Sequence, residues 1–312
     1  MLINVVENID KLVVRFPGGM REVNCYLLKG DNGYTVIDTG TYTKEAMDTW
    51  KTFLESGVVV EKVVLTHTHQ DHIGLAKWFQ EQIGVPVFTS RRGYTEMLKG
   101  RNFKSSKEKL DGLIKRHGGE GLPDRLHDDS IIYDFEPDGF FEENDIIQLG
   151  NHDYKVIWAP GHAPDQYMFY QTNRKVMIVG DHILNNISPV IGLWNGEETN
   201  PMKEYYQSLE ILKNYPTEIA LPGHSEVILD FDSRVQWIKD RHDYRLDQLL
   251  GYMTENGKSA NELSKEIYGP INPAFLLSPF MATLTRLIYL ESLGYIRRVE
   301  ENGKVLFGSL TT

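Results

Sequence analysis

The segment 66–72, which reads THTHQDH, constrains this chain more than any other feature. It follows VEKVVLT (60–66), an apolar run that predicts a buried strand. A loop at the end of a strand can point His67 and His69 the same way, because residues two apart share a face. Asp71 and His72 can then turn toward a neighbouring position. Imidazole and carboxylate are the donors that borderline divalent metals such as zinc prefer, so the segment predicts a metal site.

Three later residues have a matching local context. His162, Asp181 and His224 each follow a hydrophobic run that predicts a strand, and each is preceded by glycine. Glycine lets the backbone turn sharply and approach a centre closely, and ligands gather outside the carboxyl ends of strands in open α/β sheets. We therefore expect one centre built from seven side chains. These are His67, His69, Asp71, His72, His162, Asp181 and His224.

The pattern of apolar residues before residue 230 is that of an α/β protein, because predicted strands alternate with predicted helices. The segment from about 91 to 129 is charged and predicts a helical insertion, with a helix over 105–117. It is either a lid over the site or a solvated pair of surface helices. Elsewhere we predict strands at 13–16, 25–30, 34–40, 60–66, 85–90, 145–150, 154–160, 166–172, 175–181 and 219–224, and helices at 44–56, 73–83 and 205–213.

The tail from 231 to 312 has a different pattern. It predicts helices over 234–254, 259–269 and 279–293, and then a hairpin over 295–310. Ser259 is the expected N-cap of the second helix, with Glu262 at the third following position and Gly269 as its stop. Three helices followed by a hairpin is the order of a winged helix. The sequence thus predicts two domains, 1–230 and 231–312.

The spacing HxHxDH, then Pro-Gly-His, Gly-Asp and Pro-Gly-His, resembles the metallo-β-lactamase superfamily, and within it the glyoxalase II-like and lactonase-like hydrolases. The matching motifs extend over residues from about 1 to 228. The resemblance implies an α/β fold, an αββα sandwich of two β-sheets between helices with the site at one edge. The tail resembles the small winged-helix-like α+β domain that follows this sandwich in some members.

The resemblance also implies how the seven ligands divide between two metal ions. Three histidines would hold the first ion, a carboxylate and two histidines the second, and one aspartate would bridge both together with a water or hydroxide. In that order the ligands are His67, His69 and His162; Asp71, His72 and His224; and Asp181. Asp38 matches a position that supports the site by orienting a ligating histidine, although an ordinary turn aspartate after a strand is the alternative.

These features predict a dinuclear metal-dependent hydrolase. Two divalent ions are expected, with zinc preferred and iron or manganese as alternatives. A bound metal lowers the pKa of water from 15.7 to about 7, so we expect a bridging hydroxide to attack a carboxylic ester, thioester or lactone. By resemblance, Asp71 would also act catalytically, by orienting the nucleophile and passing its proton to the leaving group.

An iron-dependent persulfide dioxygenase is compatible with the same ligand types. Two functions of other kinds also compete with this interpretation. The first is a ribonuclease acting on single-stranded RNA, which the basic pairs at 91–92 and 115–116 favour and the net charge of -11 disfavours. The second is a nucleic-acid-binding regulator. The tail has ten basic and ten acidic residues, which is not the basic footprint that a DNA-binding domain needs.

The remaining expectations concern partners and location. Cys25 is the single cysteine and falls in a predicted strand, where a small buried residue is expected rather than a nucleophile. No run approaches the roughly 18 apolar residues of a membrane span, and no signal-peptide pattern is recognised. We expect a soluble, cytoplasmic protein with a small-molecule acyl substrate, no membrane partner and no nucleic acid. The oligomeric state is left open, with a homodimer among the options.

Overall fold

Two β-sheets packed face to face form the centre of the fold in the computed structural model, which describes residues 2–17, 20–123, 126–269 and 277–310. The first sheet has seven strands in chain order, antiparallel from β1 to β4 and parallel from β4 to β7. Its strands are β1 (Leu2–Val6), β2 (Ile9–Arg15), β3 (Glu22–Lys29), β4 (Tyr34–Ile37), β5 (Val60–Val64), β6 (Val87–Ser90) and β7 (Gly139–Phe141).

The second sheet has five strands in the order β12-β11-β10-β9-β8. Only β11 and β12 run parallel; the other neighbours are antiparallel. Every residue of β10 and β11 is buried, as the near-continuous apolar sequences of these strands predict. The strands are β8 (Ile146–Leu149), β9 (His152–Trp158), β10 (Tyr167–Gln171), β11 (Val176–Gly180) and β12 (Ile219–Pro222).

Helices cover the outer face of each sheet. On the first sheet, Trp50 of α1 (Lys44–Glu55) is fully buried in a cluster with the side chains of β2 to β6. On the second, α6 (Pro201–Leu212) and α7 (Phe231–Tyr252) pack against β9 to β11 through residues such as Tyr205 and Ile238. A third cluster, including Tyr26 and Phe169, fills the space between the sheets. The expected αββα sandwich is therefore confirmed.

The single helix predicted over 73–83 was wrong, because three short pieces replace it. They are α2 (Gln70–Ile73), α3 (Ala76–Trp78) and a π-helical turn at Phe79–Ile83. Gly74 lies against the loop after β4, where an added Cβ would be 2.5 Å from the backbone nitrogen of Tyr42. Leu75 then leaves the helical conformation, with φ -101° and ψ 6°. This close backbone contact interrupts the helix directly after the histidine-rich loop.

The insertion consists of two helices, α4 (Arg91–Gly100) and α5 (Phe103–Arg116). The helix expected over 105–117 corresponds to α5, while α4 was not predicted. Leu113 and Ile114 of α5 share a hydrophobic cluster with Leu249 and Phe307 of the tail. The end of α5 therefore packs against the tail, while the other side chains of this helix are exposed or partly exposed.

The tail continues from α7 with α8 (Ala260–Tyr268), α9 (Leu277–Ser292), β13 (Ile296–Glu301) and β14 (Lys304–Ser309), the last two paired as a hairpin. The capping box of Ser259 and Glu262 is formed. The segment 270–276 between α8 and α9 lies outside the described residues. Within the described ranges, no helix combines the length and apolarity that crossing a membrane requires.

Candidate metal centre

The predicted ligands converge at one edge of the two sheets. The loop after β5 carries His67 and His69, and α2 carries Asp71 and His72. The loops that follow β9, β11 and β12 supply the remaining three ligands, which are His162, Asp181 and His224 in that order. Because the ends of these strands meet at the same edge of the sandwich, the loops face one another across it.

Three overlapping groups of side chains have ligand atoms within 4.8 Å of one another. Each group contains at least one buried histidine, and together the groups include all seven predicted ligands. The groups are His67, His69 and His162; His67, His72 and Asp181; and Asp71, His72 and His224.

Asp181 lies between the two sets of ligands that the resemblance implies. Its Oδ2 is 3.7 Å from His162 Nε2 and 3.1 Å from His224 Nε2, and its Oδ1 is 3.4 Å from His72 Nε2. The carboxylate of Asp181 thus contacts histidines on both sides of the cluster, His162 and His224 through Oδ2 and His72 through Oδ1.

The cluster contains buried polar atoms that make no hydrogen bond. They include Nε2 of His67, Nε2 of His72 and Oδ1 of Asp181. Unpaired buried polar atoms are costly, so a cluster of them indicates a missing partner. The backbone also approaches closely, since a Cβ on Gly223 would lie 2.3 Å from Asp181 Oδ1. Nitrogen and carboxylate donors in this arrangement fit divalent metal ions.

Asp38 orients the ligand-bearing segment 66–72 through contacts with Thr66 and His72. Its Oδ2 lies 2.8 Å from His72 Nδ1 and accepts from the hydroxyl of Thr66 at 2.7 Å, while its Oδ1 accepts from the Thr66 N–H at 2.8 Å. The Thr66 hydroxyl in turn lies 3.0 Å from His67 Nδ1. The geometry is that of a carboxylate that leaves Nε2 of His72 directed at the cluster, which is the supporting role expected for Asp38.

Backbone carbonyls orient the distant histidines. The carbonyl of Val190 lies 3.2 Å from His162 Nδ1, and that of Glu22 contacts His224 Nδ1. Asn24 Nδ2 and the Tyr26 hydroxyl both donate to the Pro222 carbonyl, at 2.9 and 2.8 Å, and so fix the loop before His224. The contacts with Glu22 and Pro222 join residues about 200 positions apart, and no sequence signal would have identified them.

The two sides of the cluster differ in charge. On the first side, burial and then the neighbouring His162 lower the pKa of His69 to about 3. On the second side, burial lowers the pKa of His224, but the Asp181 carboxylate outweighs it and raises the value to about 10. Burial raises the pKa of Asp71, yet His72 and His224 bring it to about 2. The first side offers neutral imidazoles, whereas the second side pairs protonated imidazoles with ionised carboxylates.

A cavity of about 390 Å³ opens beside His69 and His162. Its far walls come from the insertion and from the loop before α6, and they are largely apolar. Asp165 lines the near wall, where burial raises the pKa of its carboxyl to about 7. The apolar wall residues include Phe103, Leu110, Leu122, Leu193 and Trp194. Sequence reasoning missed this wall, although the insertion had been considered as a cover for the site.

The other five histidines lie outside the three groups. His182 is fully buried with its ring 4.6 Å from that of Tyr205. His117 pairs with Glu198 at 3.1 Å, away from the cluster. Cys25 is buried in β3, also as expected. None of His117, His127, His152, His182 and His242 belongs to a group of ligand atoms among the described residues.

Comparisons with known proteins agree with this geometry. The family model of the metallo-beta-lactamase superfamily matches residues 18–224. The chain is 25% identical to the probable metallo-hydrolase YqjP of Bacillus subtilis, over 97% of this chain and 98% of that protein. It is 23% identical to the acyl-coenzyme A thioesterase MBLAC2 of Gallus gallus, over 67% and 75% of the two chains.

A solved structure extends the similarity to the whole chain. A metallo-beta-lactamase family protein from Thermus thermophilus superposes with a TM-score of 0.83 at 26% identity, covering 98% of this chain and 99% of that one. The similarity therefore includes the tail as well as the sandwich.

Proposed function

The chain belongs to the metallo-β-lactamase superfamily, and we propose that it hydrolyses a carboxylic thioester, ester or lactone with the help of two divalent metal ions. One observation carries the proposal: the convergence of seven nitrogen and carboxylate donors, several of them buried without a hydrogen-bond partner. The names of relatives point the same way, since one of them is an acyl-coenzyme A thioesterase.

Each ion has its own set of candidate donors. His67, His69 and His162 would hold the first, and the group of Asp71, His72 and His224 the second. Asp181 contacts both sets and would serve both ions. Zinc is the metal that these donor types favour, with iron or manganese as alternatives. When bound, such ions polarise a carbonyl and acidify water.

Asp71 is the candidate for moving the proton. It is the less enclosed of the two carboxylates in the cluster, with its side chain 28% exposed against 8% for Asp181. The neighbouring imidazoles keep its pKa at about 2, so it is ionised at neutral pH. It can accept the proton of the attacking water and return it to the leaving group. The acyl bond breaks, a bond to the water oxygen forms, and an acid and a thiol or alcohol are released.

The cavity beside the first set favours an acyl substrate over RNA. A pocket that holds a substrate by burial is lined mostly by apolar side chains with a few polar groups. Leu110, Leu122 and Leu193 provide such a wall. We retain ribonuclease action as the alternative, to be tested beside the acyl substrates.

We further propose that residues 1–230 form the catalytic domain and 231–312 a winged-helix-like domain. The shared hydrophobic cluster of α5 with the tail supports a role of the tail in holding the insertion over the cavity. A soluble, cytoplasmic location fits the single buried Cys25.

The proposal is tested by elemental analysis of the purified protein together with a panel of thioesters, esters, lactones and single-stranded RNA. We expect about two equivalents of metal and chelator-sensitive release of acid. Asp181→Asn should lose both metal and activity, because it removes the carboxylate charge shared by both sets. The control is His127→Ala, since His127 is exposed and pairs with Asp129 outside the cluster. Metal-loaded protein that cleaves RNA and no acyl compound would contradict the proposal.

A further inference from the structure

One long connection borders both the ligand cluster and the cavity. The segment 181–200, which the structure describes in full, joins β11 to α6 and contains no helix or strand. Connections longer than about 12–15 residues without secondary structure are uncommon in compact domains and, where ordered, are usually functional. This one begins at the candidate ligand Asp181, its Val190 carbonyl lies 3.2 Å from Nδ1 of His162, and its residues 192–195 line the cavity. Its position therefore affects a candidate ligand and the shape of the cavity together.

The backbone of this segment finds hydrogen-bond partners in the tail. A buried carbonyl without a partner is costly, and a segment without secondary structure has to find partners elsewhere. Arg234 of α7 donates to the carbonyls of Leu184 and Ile187, at 2.6 and 2.7 Å. The hydroxyl of Thr285 in α9 donates to the carbonyl of Ile191 at 3.0 Å. The tail thus holds the segment at several points along its length.

Of these contacts, that of Thr285 lies closest in the chain to Val190. Ile191 is buried and stands between Val190, whose carbonyl contacts His162, and the cavity-lining residue Gly192. Each peptide unit is planar, so only two soft dihedral angles per residue separate neighbouring carbonyls. A hydrogen bond that fixes the Ile191 carbonyl therefore restrains the peptide groups before and after it.

The donor of this hydrogen bond is held firmly. Thr285 is fully buried, and its hydroxyl has one hydrogen to donate. The other acceptor within reach, the carbonyl of Ala282 in the preceding turn of α9, is farther away at 3.4 Å. Every residue from Phe280 to Ile288 is buried, so close packing sets the position of α9. Leu193 of the segment belongs to the same hydrophobic cluster as apolar side chains of this helix.

We propose that Thr285 is a positioning residue, through which the tail orients the candidate metal ligand His162. Its hydroxyl holds the Ile191 carbonyl, and this keeps the adjacent Val190 carbonyl against Nδ1 of the His162 ring. A partner at one ring nitrogen fixes the orientation of the ring and leaves the other nitrogen available to a metal. The same hydrogen bond restrains the cavity wall at 192–195. The inference rests on the proposed function, which assigns His162 to the first metal ion.

The experiment compares Thr285→Val with the matched control Thr283→Val. Thr283 is also fully buried in α9, but a step of two residues is a rotation of about 200° around the helix axis. Its hydroxyl donates within the helix, to the carbonyl of Pro279 at 2.9 Å. Each substitution removes one buried hydroxyl, so urea unfolding of the metal-free proteins should show similar losses of stability. Only Thr285→Val should affect the metal centre.

Zinc affinity is the first readout, measured for both sites by competition with a fluorescent chelator. Loss of a direct partner of a ligating histidine lowers metal affinity by about 10–100-fold. Because Thr285 acts through the neighbouring residue, we expect Thr285→Val to weaken the site that includes His162 by about threefold to tenfold. The site that includes His224 should change less. Thr285→Ser keeps the hydroxyl and should restore the affinity, and Thr283→Val should leave the ratio of the two affinities as it is.

The protonation of the His162 ring gives a second readout that needs no metal. In the metal-free protein we expect the proton on Nδ1, because the Val190 carbonyl accepts there. Nitrogen-15 NMR of histidine-labelled protein distinguishes the two tautomers, and the His162 signals are those lost in His162→Gln. Thr285→Val should populate the other tautomer, whereas Thr283→Val and Thr285→Ser should not.

The outcomes separate this inference from the proposed function. An unchanged ratio of zinc affinities and an unchanged tautomer in folded Thr285→Val would overturn the inference and leave the proposed function intact. Equal effects of Thr285→Val and Thr283→Val would also overturn it, because general destabilisation would then explain both. If the wild type binds no zinc, the proposed function is wrong and the tautomer alone decides the inference. Should Thr285→Val fail to fold, Thr285→Ala and Thr283→Ala repeat the comparison with smaller side chains.

Discussion

Replacing Asp38 with asparagine tests whether the supporting carboxylate determines metal affinity. The substitution keeps the size of the side chain and removes its charge. The backbone tolerates it, because Asp38 has φ 60° and asparagine is among the residues that adopt this left-handed conformation most readily. Any effect therefore comes from the contacts of the carboxylate with Thr66 and His72.

The magnitude follows from those contacts. The two carboxylate oxygens have three close partners: the Thr66 N–H at 2.8 Å, the Thr66 hydroxyl at 2.7 Å and His72 Nδ1 at 2.8 Å. An asparagine has one acceptor oxygen, so either the backbone N–H or the imidazole meets an amide NH₂ instead. A buried donor left unsatisfied costs about 1–3 kcal/mol. Loss of such a partner lowers metal affinity by about 10–100-fold, and each factor of ten is about 1.4 kcal/mol.

The assay is competition with a fluorescent chelator, which resolves the dissociation constants of the two ions, combined with urea unfolding of the metal-free protein. We expect Asp38→Asn to weaken the site that includes His72 by about tenfold or more and the other site by less. The control is Asp138→Asn, whose carboxylate also accepts a backbone N–H, that of Val87 at 2.8 Å, away from the cluster. Unchanged affinity at both sites in Asp38→Asn would refute the reasoning.

Three further predictions use other parts of the site and its surroundings. Gly223→Ala places a Cβ 2.3 Å from Asp181 Oδ1, so the metal content measured by elemental analysis should fall. The circular dichroism spectrum should stay that of the folded protein, and full metal content would contradict the prediction. Asp165 has a pKa raised to about 7 by burial, against 3.8 in the unfolded chain, so its contribution to stability is greatest below about pH 4 and is lost as pH rises to 7. With a chelator present to keep both proteins metal-free, the free energy of unfolding of Asp165→Asn should therefore rise relative to that of the wild type by about 4 kcal/mol across that range. Parallel curves of the free energy of unfolding against pH for the two proteins would contradict this. A hydrogen bond from His117 is the main cause that holds the pKa of Glu198 at about 2, so Glu198 should lose its stabilising effect as pH falls from about 4.5 to 2. In Glu198→Gln, the free energy of unfolding of the tail, measured by hydrogen exchange, should therefore depend less on pH over this acidic range. An unchanged pH dependence would contradict this.

The sequence by itself determined the α/β class and the identity of the converging residues, and its resemblance to a known family implied the sandwich. Strands could be read from their apolar runs, and the candidate ligands come immediately after them. Because strand ends meet at one edge of a sheet, the chain positions of His162, Asp181 and His224 were enough to predict that they come together with the loop at 66–72. The supporting role of Asp38 was implied by the resemblance of its position to one in a known family, and the contact with His72 agrees with it.

Only the tertiary structure decided the orientation and surroundings of these residues. The carbonyl that contacts His224 belongs to Glu22, and the walls of the cavity come from the insertion and the loop at 192–195. The break at Gly74 depends on a neighbouring loop that no local propensity describes. Strand formation and loop position are local properties of the chain, whereas hydrogen-bond partners and pocket walls are set by packing between segments distant in sequence. For that reason the sequence predicts the site, while the structure is needed to propose what enters it.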